Sequence, residues 1–94
     1  MKRTLTILPG NTDHKLTQVE WHDYVLEIGG LIDSWSQNVW FFGAPANWMA
    51  WQNACWVIEI NDEDMAMFGM ELKLIRERYN QLSIALVDGE ATFL

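Results

Sequence analysis

Residues 54–60 (Ala-Cys-Trp-Val-Ile-Glu-Ile) are the segment that most restricts how this chain can fold. Glu59 is its only polar residue, and three of its residues are β-branched, which is typical of strands. The run is shorter than most helices, and strands with nearly continuous apolar sequence usually lie in the middle of a sheet. We therefore predict a central strand here, with Trp56 in the core and Cys55 as a buried structural thiol.

Two further strands are predicted before this segment. Residues 4–8 alternate Thr with aliphatic side chains, which places Leu5 and Ile7 on a buried face, and the Pro-Gly-Asn sequence at 9–11 breaks the strand. Residues 38–42 (Asn-Val-Trp-Phe-Phe) form the other strand, and a loop follows it. The sequence does not decide whether residues 48–52 form a helical turn.

The C-terminal residues predict a β-hairpin. Residues 82–87 are expected to form a strand, and the dipeptide Asp88-Gly89 is a strong two-residue turn signal. Residues 90–94 would then be a returning strand added to the edge of the sheet.

The first helix is predicted at 17–36. Thr17 and Glu20 have the spacing of a capping box, and Leu16 and Trp21 lie where a hydrophobic staple would. Apolar residues then recur at steps of three and four. The pair at 29–30, Gly-Gly, costs about 1 kcal/mol per residue relative to Ala, so it predicts either close approach of another backbone or a break in the helix.

The second helix is predicted to begin after Asn61 and to end near Asn80. Asn61 is a favourable N-cap, and the acidic residues at 62–64 suit the positive end of the helix dipole. Basic residues lie towards the other end, where a positive charge is favourable.

The predicted order of elements is β-α-β-β-α-β with an added C-terminal hairpin strand. This is the order of a ferredoxin-like two-layer α+β sandwich, which has two helices on one face of an antiparallel sheet. Residues 1–94 are expected to form one domain. The core is predicted to contain Leu5, Ile7, Trp21, Ile28, Ile32, Trp56, Ile58, Phe68, Leu72 and Ile84.

The charge of the chain is strongly segregated. The net charge is −7, and no Lys or Arg lies between Lys15 and Lys73. An acidic surface repels nucleic-acid phosphates and anionic membranes and attracts cationic partners, so we expect no nucleic acid and no membrane as partner. Cys55 is the only cysteine, and the N-terminus lacks the apolar run of a secretion signal. A cytoplasmic location is the resulting expectation.

An aromatic-rich segment is the main candidate site. Regular strand alternation predicts Trp40 and Phe42 on one face and Phe41 on the other. A two-layer fold buries only one sheet face, so one set is exposed unless something covers it. Trp48 and Trp51 flank the following loop, where large rings often anchor an interface. Core packing, a protein-binding patch and a ligand pocket are the three interpretations.

Two helical stripes are further candidates. Glu20, Asp23 and Glu27 step along the first helix, either as a solvated face or as a docking stripe for a basic partner. A second apolar stripe on the second helix indicates intramolecular packing, a homodimer contact or a foreign partner; it consists of Met67, Met70 and Leu74.

No motif in the sequence predicts catalysis, a metal or another cofactor. His22 and His14 are not accompanied by a convergent set of ligands, and neighbours such as His22 and Asp23 diverge on a helix. The glycine pairs do not connect a strand to a helix as phosphate-binding loops do. The chain is therefore expected not to be an enzyme.

The function predicted first is that of a small acidic protein-binding module, an inhibitor or adaptor that docks on a cationic protein through aromatic anchors and an acidic face. In size, charge and lack of catalytic motifs the chain resembles phage-encoded inhibitors and toxin-immunity proteins, a likeness that carries over no residue roles. The alternative is a ligand-binding or sequestering protein with a Trp-lined pocket.

Overall fold

The computed structural model describes residues 1–11, 15–44, 52–89, 92 and 94. Its elements are β1 (Lys2–Leu8), α1 (Gln18–Trp35), β2 (Asn38–Gly43), β3 (Cys55–Asn61), a 3-10 turn (Asp62–Asp64), α2 (Met65–Arg78) and β4 (Ala85–Gly89). The four strands form one antiparallel sheet in the order β2-β3-β1-β4. The predicted α+β class is confirmed, and the arrangement is compatible with a two-layer sandwich. Neither α1 nor α2, the helices of the described residues, has the length and apolar composition needed to cross a bilayer.

The predicted central strand lies between two neighbours, as expected from its apolar sequence. In β3, Ile58 lies opposite Leu5 of β1 on one side and opposite Val39 of β2 on the other. Every second residue of β3 is buried, starting with Trp56. Because both neighbouring strands register against this buried set, β3 fixes which face of the sheet meets the helices.

One hydrophobic core joins that sheet face to both helices. Its buried apolar residues are Leu5, Ile7, Leu16, Trp21, Tyr24, Ile28, Ile32, Ala54, Trp56, Ile58, Ile60, Phe68, Leu72 and Ile75. Ile84, which was expected in the core, is only partly buried and packs against it. The other predicted core residues are buried.

Specific contacts hold the two helices side by side. Trp35 of α1 donates its indole N–H to Glu71 of α2 at 2.9 Å. Near the other end, the Tyr24 and Tyr79 rings pack with centroids 4.9 Å apart. The pairing fixes the α1 flank that faces α2 and leaves the opposite flank of α1 beside β2.

The start of α1 confirms the predicted capping box. The backbone N–H of Glu20 donates to the Thr17 hydroxyl, and the Glu20 carboxylate accepts from the Thr17 backbone N–H. The helix continues through Gly29 and Gly30, so the predicted break is wrong. The predicted backbone approach is also wrong, because the nearest atom to a Cβ at Gly29 would be on the Trp56 ring, at 3.8 Å.

The start of α2 differs from the prediction. Asn61 is the last residue of β3, and its side chain makes no capping hydrogen bond to the 3-10 turn that follows. Arg3 instead binds the carboxylate of Asp62, and the backbone N–H of Asp62 donates to the Met1 carbonyl. Contacts to β1 therefore hold this turn in place of the predicted cap. Asn80, with φ of 55°, follows the helix in the left-handed conformation that commonly ends helices.

The predicted turn at Asp88-Gly89 is wrong. Both residues belong to β4, where they lie opposite Leu5 and Thr4 of β1. Arg3 also donates to the Asp88 carboxylate at 2.6 Å, which holds this end of β4 against β1. Residues 90, 91 and 93 of the predicted returning strand lie outside the described residues.

A buried polar cluster fixes the loops beside the core. The Asn11 side-chain amide donates to the Leu16 carbonyl at 3.0 Å and to Gln52 Oε1 at 2.8 Å. Its oxygen accepts from the Leu16 backbone N–H at 3.0 Å. Gln52 in turn donates to Gln18 at 2.7 Å. The cluster thus ties the chain after β1, the start of α1 and the chain before β3 to one another.

Tyr24 is a buried residue whose hydroxyl makes no hydrogen bond within the described part of the chain. We expect Tyr24→Phe to raise the free energy of unfolding by about 1 kcal/mol, because it removes a desolvated hydroxyl without leaving a partner unsatisfied. Urea unfolding at neutral pH measures the change. A loss of stability would contradict the assignment of this hydroxyl as unpartnered.

The same substitution has a pH signature. Burial raises the pKa of Tyr24 to about 12, above its ordinary value of 10.0. Below its unfolded pKa the tyrosine is protonated in both states, and above it the unfolded state ionises first, so stability is lost as the pH rises towards 12. We expect Tyr24→Phe to lose less stability than the wild type over that interval.

Candidate functional site

The aromatic surface comprises Val39, Trp40, Phe41 and Phe42, four consecutive residues of the edge strand β2. Their exposed fractions lie between 44% and 54%. Small proteins rarely leave contiguous apolar side chains exposed on an edge strand, because such strands promote association. This surface is therefore the first candidate site of the structure.

A β-bulge determines how the aromatic surface is arranged. Val39 lies opposite Ile58, whereas Phe41 lies opposite the next residue, Val57, so Trp40 is the inserted residue. The insertion breaks the regular alternation of β2. Val39 and Phe42, three residues apart, consequently share the sheet face that meets the helices. The regular pattern predicted for this strand is wrong for that reason.

Phe41 lies on the opposite face of the sheet from Phe42. Its ring lies over Gly43, where an added Cβ would come within 2.8 Å of the ring. In the same row across the sheet are Val57, Thr6 and Val87. The missing side chain at Gly43 gives the Phe41 ring its place beside this row of aliphatic and threonine side chains.

Phe42 connects the aromatic surface to the core. Its ring stacks on that of Trp56 with centroids 4.7 Å apart and an interplanar angle of 30°. Phe42 is half exposed, whereas Trp56 is only 4% exposed. The buried Trp56 ring therefore provides the surface on which the half-exposed Phe42 ring packs.

A groove of about 480 Å³ opens between α1 and β2, and we call it the α1–β2 groove. Its lining residues are Val25, Leu26, Gly29, Gly30, Asp33, Val39, Phe42 and Trp56. The volume lies within the range of small-molecule and side-chain pockets, about 300–1,000 Å³. Sequence reasoning identified the aromatic residues of β2 but not the contribution of α1, because it could not place these two elements side by side.

The predicted acidic stripe is largely engaged within the molecule. The Glu20 carboxylate belongs to the capping box, and the N–H of Thr17 lowers its pKa. Glu27 accepts from Arg78 at 2.6 Å, and its hydrogen bond with Tyr79 raises the pKa of that phenol to about 12. Asp23 is exposed and belongs to none of the salt bridges between described residues.

The structure does not bring the acidic stripe and the aromatic surface together. Glu27 faces Arg78 of α2, whereas Gly29, Gly30 and Asp33 of α1 face β2. The two predicted halves of the docking site therefore lie on opposite flanks of α1. Asp33 is the acidic residue of α1 that lines the groove beside the aromatic surface, and no sequence pattern predicted its place there.

The remaining candidates differ in their outcome. Trp48, Trp51 and His14 lie outside the described residues. The apolar stripe on α2 (Met67, Met70 and Leu74) is exposed, so intramolecular packing does not account for it, and a contact with another chain stays a prediction. Within the described ranges, no three His, Cys, Asp or Glu residues are grouped as metal ligands would be.

Comparisons of the chain with protein-family models, with curated proteins and with solved structures find no match. The exposed aromatic surface and the adjoining groove are thus the features from which a function has to be inferred.

Proposed function

We propose that this chain is a small acidic protein-binding module without a catalytic step, an inhibitor or adaptor that docks on a cationic protein. The observation that carries the proposal is the exposure of four consecutive apolar residues on the edge strand β2. Large aromatic side chains at the centre of an interface contribute a large share of its binding energy. Phe41 and Trp40 are the proposed anchors, and Trp48 and Trp51, which lie outside the described residues, stay predicted as further anchors.

The charge distribution supports a cationic partner. Salt bridges within the molecule occupy Lys2, Arg3, Arg76 and Arg78. Residues 16–72 contain no Lys or Arg, so apart from the imidazole of His22 the ionisable side chains of α1 and β2 are acidic or uncharged at neutral pH. A basic protein would be attracted to this side of the molecule, and the attraction would weaken as salt shortens the Debye length.

The proposal also includes a specific form of the α+β fold. We propose the ferredoxin-like form of the two-layer sandwich for the observed β-α-β-β-α-β order. Both the sheet order β2-β3-β1-β4 and the antiparallel pairing of all neighbours support it. In this arrangement β2 is an edge strand, and among the described residues no further strand pairs with its outer side.

A small ligand is the second candidate, and the α1–β2 groove is the observation that favours it. Its lining is mostly apolar, with Trp56 as the buried aromatic residue. A ligand that copurifies with the protein and is displaced from this groove would support sequestration. Native mass spectrometry of the purified protein tests for such a ligand.

The protein-binding proposal is tested by placing a photoreactive benzoylphenylalanine at Phe41 and, as a control, at Asp23. We expect irradiation in cells of the source organism to link the Phe41 position to one basic protein. Against that protein, Phe41→Ala should weaken affinity by about 30-fold, which corresponds to about 2 kcal/mol. Thermal melting should show little change, because the ring is half exposed.

Asp23→Lys is the matched test of the acidic stripe. Unlike Glu20 and Glu27, Asp23 can be reversed without removing a cap or a salt bridge between described residues. If the stripe steers association, this variant should slow the association rate at low salt. Unchanged affinity of Phe41→Ala together with slowed association of Asp23→Lys would contradict docking through β2.

A further inference from the structure

The α1–β2 groove has apolar walls and an aromatic floor. Val25 and Leu26 of α1 form one side, and Val39 and Phe42 of β2 form the other. Trp56 lies beneath, stacked against Phe42. Such walls would shield a chain of methylene groups from water. The faces of the aromatic rings would interact with a cation at the end of that chain.

Two glycines keep the groove open although the backbone does not require glycine there. Neither Gly29 nor Gly30 has a positive φ. A Cβ at Gly29 would make an ordinary contact of 3.8 Å with Trp56, and at Gly30 no atom lies within 4 Å. Alanine would fit at both positions and would favour the helix. Larger side chains at Gly30 would instead occupy the groove.

Asp33 is the charged residue that lines the groove. It belongs to none of the salt bridges that the structure records between described residues. A carboxylate beside aromatic rings and aliphatic walls complements a guanidinium group on a methylene stem. Arginine suits such a site better than lysine, because its planar group stacks on rings and binds carboxylates through two hydrogen bonds.

We infer that the α1–β2 groove receives an arginine side chain of the partner, an inference that rests on the proposed protein-binding function. Asp33 binds the guanidinium, the Phe42 ring contacts its plane, and Val25 and Val39 enclose the stem. The groove thereby selects among the basic proteins that the overall negative charge attracts. Recognition of one side chain in a pocket supplies a specificity that long-range charge alone does not.

The probe is N-acetyl-argininamide, compared with N-acetyl-citrullinamide, its neutral isostere. Titration of the ¹⁵N-labelled protein is followed by NMR at the Gly29 and Gly30 amides and at the Trp56 indole N–H. We expect saturable shifts at these groups with the arginine probe and binding of the citrulline probe that is weaker by about fivefold or more. Asp33→Asn should remove most of the difference between the probes.

Gly30→Leu is the blocking variant, and Gly69→Leu on α2 is its matched control. Both positions have no atom within 4 Å of an added Cβ, and only Gly30 lines this groove. Gly30→Leu should abolish the shifts at Trp56, whereas Gly69→Leu should leave them unchanged. A folded spectrum for both variants separates blocking from unfolding.

Equal binding of the two probes, insensitivity to Asp33→Asn or shifts confined to other residues would each overturn the inference. Absence of saturable binding by the arginine probe would overturn it as well. None of these results bears on the crosslink from position 41 or on the loss of affinity in Phe41→Ala. Failure of the arginine site and failure of the protein-binding proposal are therefore distinguishable.

Discussion

Replacing Trp56 by Ala is expected to lower the free energy of unfolding by about 3–5 kcal/mol. Trp56 is 4% exposed in the central strand, and its ring stacks on Phe42 and lies beside Gly29 of α1, where an added Cβ would be 3.8 Å away. Removing the indole leaves a cavity between sheet and helix that neighbouring side chains cannot fill without moving α1. Denaturant unfolding followed by circular dichroism measures the loss.

Phe41→Ala is the matched control for Trp56→Ala. Both change an aromatic residue of adjacent strands to Ala, but Phe41 is half exposed on the opposite sheet face. Its loss of stability should stay below about 1 kcal/mol. A large loss in Phe41→Ala, or a small one in Trp56→Ala, would contradict the assignment of the two sheet faces.

Replacing Asn11 by Ala is expected to cost about 3 kcal/mol of stability. Asn11 is 1% exposed, and its side chain makes three hydrogen bonds to Leu16 and Gln52. The alanine variant loses all three bonds at a buried site, and leaving the Leu16 N–H and C=O there without these partners is costly. Urea unfolding measures the effect.

Asn38→Ala is the control for the buried cluster. Asn38 makes one side-chain hydrogen bond, to Glu59 at 3.0 Å, in an exposed position. We expect the substitution to cost less than about 1 kcal/mol, since water can replace the lost contact. Similar costs for Asn11→Ala and Asn38→Ala would show that the cluster around Asn11 is not sealed from solvent.

Much of the secondary structure was predictable because it depends on local patterns. The capping box at Thr17 and Glu20 placed the start of α1, and the apolar run around Trp56 identified the central strand. The turn predicted at Asp88-Gly89 failed because tertiary contacts outweigh that local signal. Pairing with β1 and the hydrogen bond from Arg3 extend β4 through both residues.

The candidate site was predictable only in part. The strand pattern predicted Phe41 or Trp40 as an exposed ring, and both are about half exposed; their role as anchors stays a prediction. The neighbouring groove and Asp33 depend on the packing of α1 beside β2, a relation between distant segments that no local pattern encodes. The salt bridge between Glu27 and Arg78 is likewise a tertiary contact. Because of it, fewer carboxylates of the predicted acidic stripe are available to a partner than the sequence spacing indicated.

The burial of Asn11 could not be predicted from the sequence, for a different reason. A Pro-Gly-Asn sequence after a strand predicts a solvent-exposed break, because these residues favour turns. Here the asparagine amide is enclosed, since its donor and acceptor groups match the backbone of Leu16 and the side chain of Gln52. Polar residues become core residues only when such partners converge, and that convergence is a property of the folded chain.

The bulge at Trp40 makes β2 a poor template for the addition of strands from other molecules. A flat, apolar edge strand offers evenly spaced N–H and C=O groups on which further strands can be templated in register. Insertion of Trp40 disturbs that spacing and increases the local twist, so a regular strand from another molecule would not match β2 along its length. The irregular backbone therefore allows apolar side chains to be exposed on an edge strand. At the same time it disfavours the pairing of β2 with strands of other molecules.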